Sequence, residues 1–277
     1  MKTEHLLGLD IYRIILAIII LAFHSNIHFG CNYGYINDFI SMGAVSMTGF
    51  FLLSGYSNYH VYIDKPMYNI KEIKKFYLKK AIGILPTYYL TGLLYIIFLS
   101  KESLRENILL VPMQMLGVQS VFPATFSLSH NSGTWFISCI LLAYLIFPYC
   151  IETLKQLTLS NKICISILFV VILLYAPVVV GVFSLGSIYA NPFFRIIEFL
   201  IGMLSASLMS AIKKNNYFKF LFYRGTIAME WIIMILGVII LYKLEISRGN
   251  YMLYSWVCLP IFILIIVSMA GTNSWGG

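Results

Sequence analysis

Residues 8–29 read GLDIYRIILAIIILAFHSNIHF. The run is mostly apolar and long enough to cross a bilayer, which takes about 20 helical residues. It nevertheless carries Asp10, Arg13 and His24. A charged side chain at the centre of a membrane helix costs roughly 2.5–3.5 kcal/mol on insertion scales, so charge there needs a partner or a purpose. Arg13 and His24 are eleven positions apart. At about 100° per residue that is about 20° past three full turns, with a rise of about 16–17 Å. The two side chains therefore share a face, one toward each end of the segment, and Asp10 lies one turn before Arg13 on that face. The expectation is a polar stripe 10, 13, 24 that looks into protein or a cavity rather than lipid. Asp10 would offset part of the burial cost of Arg13.

The rest of the chain has the same character. Of 277 residues, 60% are hydrophobic and 11% charged, against about 25% charged in soluble domains. The fold class is all-α, a polytopic transmembrane helix bundle of about eight spans. The runs are expected at 8–29, 39–62, 76–99, 134–151, 163–183, 192–212, 226–243 and 253–270. Ser100 to Gly133 is a long connection whose middle, NILLVPMQMLGVQSVF, is apolar but short and contains Pro112. It reads as an interfacial or re-entrant piece rather than a span. No repeat, low-complexity tract or linker divides the chain, so residues 1–277 read as a single membrane domain. The first run is too long, and too interrupted by charge, for a cleavable signal peptide.

The net charge of +8 does not point to nucleic acid, because of where the charge sits. Lys2, the six lysines from Lys65 to Lys80, Lys155, Lys162, Lys213, Lys214, Lys219 and Arg224 fall on one set of alternate connections. The other set holds Lys101, Arg105, Lys243 and Arg248. By the positive-inside rule the N-terminus is cytoplasmic. Arg13 then lies toward the cytoplasmic end of its span and His24 toward the outer end. A lipid bilayer is the implied partner.

Each chemically suggestive residue has a plainer alternative. Neutral His24 can accept a proton from a hydroxyl, or it can snorkel to water at a span end. Gly43, Ala44, Ser46, Gly49, Ser54 and Gly55 make the second span rich in small residues, which permits close helix approach. Ser54 would be a nucleophile only with a base beside it. Lys71, Lys74, Lys75, Lys79 and Lys80 form a basic collar before a span containing Pro86. It suits a polyanionic cytosolic donor such as a coenzyme A ester, or a topology signal aided by anionic lipid. Trp135 reads as an interfacial anchor. Arg195 and Glu198 are an i, i+3 pair of opposite charge, and an intramembrane acid is a functional candidate by default. The five cysteines show no metal-ligand or disulfide pattern. No P-loop, GxSxG, HExxH or GxGxxG stands in a credible context.

In succession, several stretches resemble the acyltransferase-3 family of bacterial membrane-bound acyltransferases. They are Arg13, ten residues and His24 after GLD; FFLLSGY in the second span; FYLKKAIGILPTYY; GTWFISCILLAYLIFP; and FFRIIEFLIGML. The resemblance implies an O-acyltransferase in the bacterial cytoplasmic membrane. It would move an acetyl or succinyl group from cytosolic acyl-CoA to a hydroxyl of an extracytoplasmic glycan or other envelope acceptor. His24 would activate the acceptor hydroxyl, and Arg13 would position or neutralise the donor or the developing charge. Asp10, Ser54, Lys79, Lys80, Trp135, Arg195 and Glu198 are candidate substrate-binding residues, and no metal is implied. The family's usual ten spans and closing S-Y-x-x-Y-L-x-H-like helix are not met after Trp275, so the sequence reads as C-terminally shortened. No acid follows Trp135 where some members carry one. The alternative from the residues alone is a transporter or exporter of a polysaccharide or small anion without covalent chemistry, although no half-to-half repeat of broken helices supports it.

Overall fold

The computed structural model describes residues 6–100, 103–121, 132–183, 189–214 and 258–270, together with isolated helical positions at 232, 235, 236 and 239. Among them every regular element is helical. In chain order these are α1 (Leu7–Phe29), α2 (Asn37–Ser41), α3 (Ser46–Tyr62), α4 (Ile70–Phe98), α5 (Leu104–Leu116), α6 (Trp135–Gln156), α7 (Leu159–Phe183), α8 (Pro192–Lys214) and α9 (Leu259–Met269). A 3-10 turn at Gly43–Val45 joins α2 to α3. The chain is a multi-pass helical membrane protein.

Helices α1, α4, α6, α7 and α8 are each long and apolar enough to cross a bilayer. The stretches Gly34–Ser41 and Gly43–Tyr62 qualify together as a sixth, bent by 46°. These account for the first six expected spans. The expected span at 226–243 lies outside the described residues apart from isolated positions. Of 253–270 only the eleven-residue α9 is described, too short to span alone.

The chain forms two compact units. The first comprises residues 1–63, 157–177 and 198–277, and the second 64–156 and 178–197.

In the first unit α3 is central. Its small residues are contact points. A methyl group at Gly55 would come within 1.9 Å of the Phe199 carbonyl oxygen, and one at Gly202 within 2.0 Å of the Leu52 carbonyl oxygen. The backbones of α3 and α8 therefore touch, and only glycine fits at either place. Gly49 sits between Leu16 of α1 and Phe262 of α9, and Gly43 lies against Ile19 and Phe23 of α1. Buried hydrogen bonds fix the sliding position of α3 on α8. Thr48 Oγ1 donates to Glu198 Oε1 at 2.8 Å, and Tyr59 and Ser207 share a hydroxyl–hydroxyl bond at 2.9 Å.

These contacts also give a direction. Thr48 pairs with Glu198, Leu52 with Gly202 and Tyr59 with Ser207, so α3 and α8 run parallel. Two spans that cross in the same direction have an odd number of crossings between them, which α4, α6 and α7 supply. A crossing by α5 would reverse α8. The described part of the 100–133 connection, α5, has thirteen residues and is too short to span alone.

In the second unit α4 packs on α6 through aromatic rings. Phe76 stacks on Phe147 with centroids 4.7 Å apart and meets Tyr144 edge-on at 5.9 Å. α5 begins with a capping box between Ser103 and Glu106 and ends on Gly117 at φ +62°. The last carbonyls of a helix lack intrahelical partners. Here Tyr88 donates to the Gln114 carbonyl at 2.7 Å and Tyr89 to the Met115 carbonyl at 2.8 Å, so the Tyr88–Tyr89 pair after Pro86 fastens α5 to α4. At the far end of α6, Glu152 Oε1 accepts the Met67 N–H at 2.6 Å and Lys155 donates to the Lys65 carbonyl at 2.6 Å.

The substitutions Gly55→Ala and Gly202→Ala are each expected to destabilise the protein by at least about 1–3 kcal/mol, the usual penalty of overpacking. Gly83→Ala, on α4 with open space around it, is expected to be neutral. Thermal unfolding in detergent, followed by the monodisperse fraction, separates the cases; equal midpoints for the Gly55 and Gly83 variants would refute the contact.

Candidate active site

His24 stands on the last turns of α1. The helix closes on Gly30, at φ +66°, whose N–H donates to the Asn26 carbonyl at 3.1 Å while the Cys31 N–H donates to the Ser25 carbonyl at 3.2 Å. Glycine takes this left-handed position at no steric cost. The chain then folds back over the helix end. Asn26 Nδ2 donates to the Cys31 carbonyl at 2.8 Å and to Asn37 Oδ1 at 2.9 Å, and Asn37 Oδ1 also accepts the Tyr33 N–H at 3.1 Å. Ser25 donates to the Ala22 carbonyl and hydrogen-bonds to the Tyr33 hydroxyl. The platform under His24 is therefore tied down on both sides.

The His24 ring is half-buried. Phe23 meets it at 5.2 Å and 65°, and His28 lies parallel to it, with centroids 5.5 Å apart and planes 3° from coplanar. His28 is exposed. Sequence reasoning passed over His28, although two histidines at i and i+4 on one helix face was a legible signal.

At the other end of α1, Arg13 Nη1 donates to Asp10 Oδ1 at 2.6 Å, as the i, i+3 spacing anticipates. The expectation that the stripe looks into protein needs correcting here. The Arg13 and Asp10 side chains are 48% and 37% exposed. The packed stripe of α1 is Leu9, Tyr12, Leu16, Ile19 and Phe23. At about 100° per residue, Arg13 and His24 lie about 80° and about 100° from its centre, and Asp10 about 140°. The pair satisfies much of its charge locally, so α1 can turn its apolar stripe inward.

In the second unit Arg195 is only 1% exposed. Its Nε donates to the Tyr189 carbonyl at 2.8 Å, and its guanidinium carbon lies 4.8 Å from the Tyr189 ring centroid and 5.3 Å from that of Trp135. Trp135 is accordingly buried and not an interfacial anchor; the Arg195 cation lies over its ring, and the Tyr189 ring, tilted by 59°, packs against it with centroids 4.7 Å apart. Beside it, Ser120 donates to the Trp135 carbonyl at 3.2 Å, and Gln119 Nε2 donates to Thr134 Oγ1 at 2.9 Å. Tyr189 was missed because it falls in a connection with no motif.

Lys80 Nζ lies 4.6 Å from the Tyr144 ring centroid and 5.4 Å from that of Phe76, while Lys79 is exposed. Ser54 Oγ has the Asn58 carboxamide beside it at 3.4 Å, a group that does not take up a proton. Glu198, fully buried, accepts from Thr48. Among the described residues no three His, Cys, Asp or Glu side chains group closely enough to hold a metal ion.

The family model described as Acyltransferase domain (Acyl_transf_3) matches residues 6–276. The chain belongs to this family. It is a membrane acyltransferase, and the transport reading gives way to transfer chemistry. Comparison with curated proteins and comparison with solved structures gave no match.

For this acyltransferase the Arg195–Trp135 contact is expected to show in a double-mutant cycle. Arg195→Met and Trp135→Leu should each lower the unfolding midpoint, and together lower it by less than the sum, with a coupling of about 0.5–2 kcal/mol. Strict additivity in reversible unfolding would show that the ring and the guanidinium do not interact.

Proposed function

We propose that residues 1–277 act as one acyltransferase-3-like domain in the bacterial cytoplasmic membrane. The domain would move an acetyl or succinyl group from cytosolic acyl-CoA to a hydroxyl of an extracytoplasmic glycan or related envelope acceptor. The observation that carries the reading is the Arg13–His24 register on the unbroken 23-residue α1, in a chain matched by the acyltransferase domain along 6–276.

In this reading His24 is the general base. Its neutral imidazole takes the acceptor's hydroxyl proton as the oxygen attacks the thioester carbonyl. The tetrahedral intermediate then collapses, the carbon–sulfur bond breaks, and the leaving thiolate takes the proton from the imidazolium. The net change is one ester formed and one thiol released, with His24 restored. Arg13 is about 16–17 Å along the axis from His24, too far to hold the oxyanion at the same carbonyl. Its role is therefore to hold a remote anionic part of an extended donor. Lys79 and Lys80, on the α4 segment that carries the basic collar, suit the same polyanionic donor. Asp10 orients Arg13. Ser54, Trp135, Arg195 and Glu198 are further candidate substrate-binding residues.

The test is transfer of labelled acyl group from acyl-CoA to acceptor glycan in isolated membranes. His24→Ala is expected to lower kcat by about 10²–10⁴-fold, the usual worth of a positioned base. Arg13→Ala is expected to raise KM for the donor more than it lowers kcat. Equal product from wild type and His24→Ala at matched expression would remove His24 from the chemistry.

A further inference from the structure

The stacked pair at the end of α1 has a capacity that acyl transfer does not use. His24 and His28 are one turn apart on one face, their rings parallel at 5.5 Å. Two histidines at i and i+4 on a helix are a recurrent pair of metal ligands, and neutral imidazole suits zinc, copper and nickel. We propose that His24 and His28 form a two-histidine binding site for a late first-row divalent cation, and that its occupation inhibits acyl transfer. The second half rests on the reading of His24 as the base.

The geometry supports chelation after a small rearrangement. Metal–nitrogen bonds of about 2.0–2.1 Å require the two donor nitrogens to converge on one point, which parallel rings at 5.5 Å do not yet do. His28 is exposed, so its ring can turn toward His24 without disturbing the core. The backbone beneath is held by the Gly30 cap and by the Asn26–Asn37 bond, so the two Cα positions stay in place. Water would complete the coordination. A metal on His24 takes up the lone pair that would otherwise receive the acceptor's proton. Cys31, an exposed thiol just past Gly30, is the nearest competing ligand in sequence and has to be controlled for.

Copper(II) is the probe of choice, because divalent affinity peaks there in the usual order. The full chain in detergent is titrated with Cu2+ and read by electron paramagnetic resonance, with Zn2+ as competitor. The expected result is a two-nitrogen signal displaced by Zn2+ in large excess, as the affinity order requires. It should be at least about tenfold weaker in H24Q and in H28Q, since even an outer partner of a metal ligand is worth that much. C31S should bind like wild type. Unfolding midpoints without metal establish that each variant is folded. Transfer is then measured for wild type and H28Q, each as a ratio with and without Zn2+; wild type should be inhibited and H28Q resistant. Binding unchanged in H28Q, or lost in C31S, overturns the site. Binding that depends on both histidines while wild-type transfer ignores Zn2+ upholds the site and overturns both the inhibition and the role of His24 as base.

Discussion

The first unit depends on a backbone contact. α3 and α8 meet where Gly55 faces the Phe199 carbonyl and Gly202 faces the Leu52 carbonyl, closer than any side chain allows. In a membrane, apolar side chains gain little by leaving lipid for one another, so close backbone approach and hydrogen bonds carry much of the association. The Thr48–Glu198 and Tyr59–Ser207 bonds set the longitudinal register of the same pair. Once α3 is held this way, Gly49 and the Gly43 of the 3-10 turn before α3 fall into place. Gly49 receives Leu16 and Phe262, and Gly43 receives Ile19 and Phe23. Those contacts fix the rotation of α1 about its axis, and with it the direction in which Arg13 and His24 project. A glycine on α3 thus reaches the proposed chemistry through two helix interfaces.

The protein deals with charge in an apolar setting in three ways. Arg195 gives its Nε–H to a carbonyl and lies over two aromatic rings that pack against each other, an arrangement suited to a planar, weakly hydrated cation. Glu198 is buried and accepts from a neighbouring threonine. Arg13 keeps an acid one turn away and stays half exposed. The first two are built into packed regions, where removing a partner leaves a buried polar group unsatisfied. The third places less demand on the fold, because the pair lies off the packed stripe.

How much of this the sequence revealed follows from the range of each interaction. The first six span positions were legible because length and apolarity are local. So was the short α5, since thirteen residues cannot cross a bilayer. The small residues of α3 were recognisable as a contact face, but not Gly202 as their counterpart, which lies 147 positions beyond Gly55. The phase of Arg13 and His24 could be read from helix geometry; their exposure could not, because the packed face of α1 is chosen by α3 and α9. Trp135 misled for the same reason. A tryptophan at the start of an apolar run suits an interface, and only the fold brings Tyr189 and Arg195 against it.

The uninterrupted character of α1 gives the register its physical meaning. Neither Gly nor Pro occurs between Arg13 and His24, whereas α4 and α6 contain Pro86 and Pro148. A proline inside a helix removes a hydrogen bond and invites a kink, so neither of those helices fixes an end-to-end spacing as firmly. Five isoleucines between the two residues add side chains that are stiff at χ1. α1 is therefore the element best able to keep a cation and an imidazole at a constant separation and phase. That constancy is what a transfer between a donor gripped at one end and an acceptor activated at the other would require.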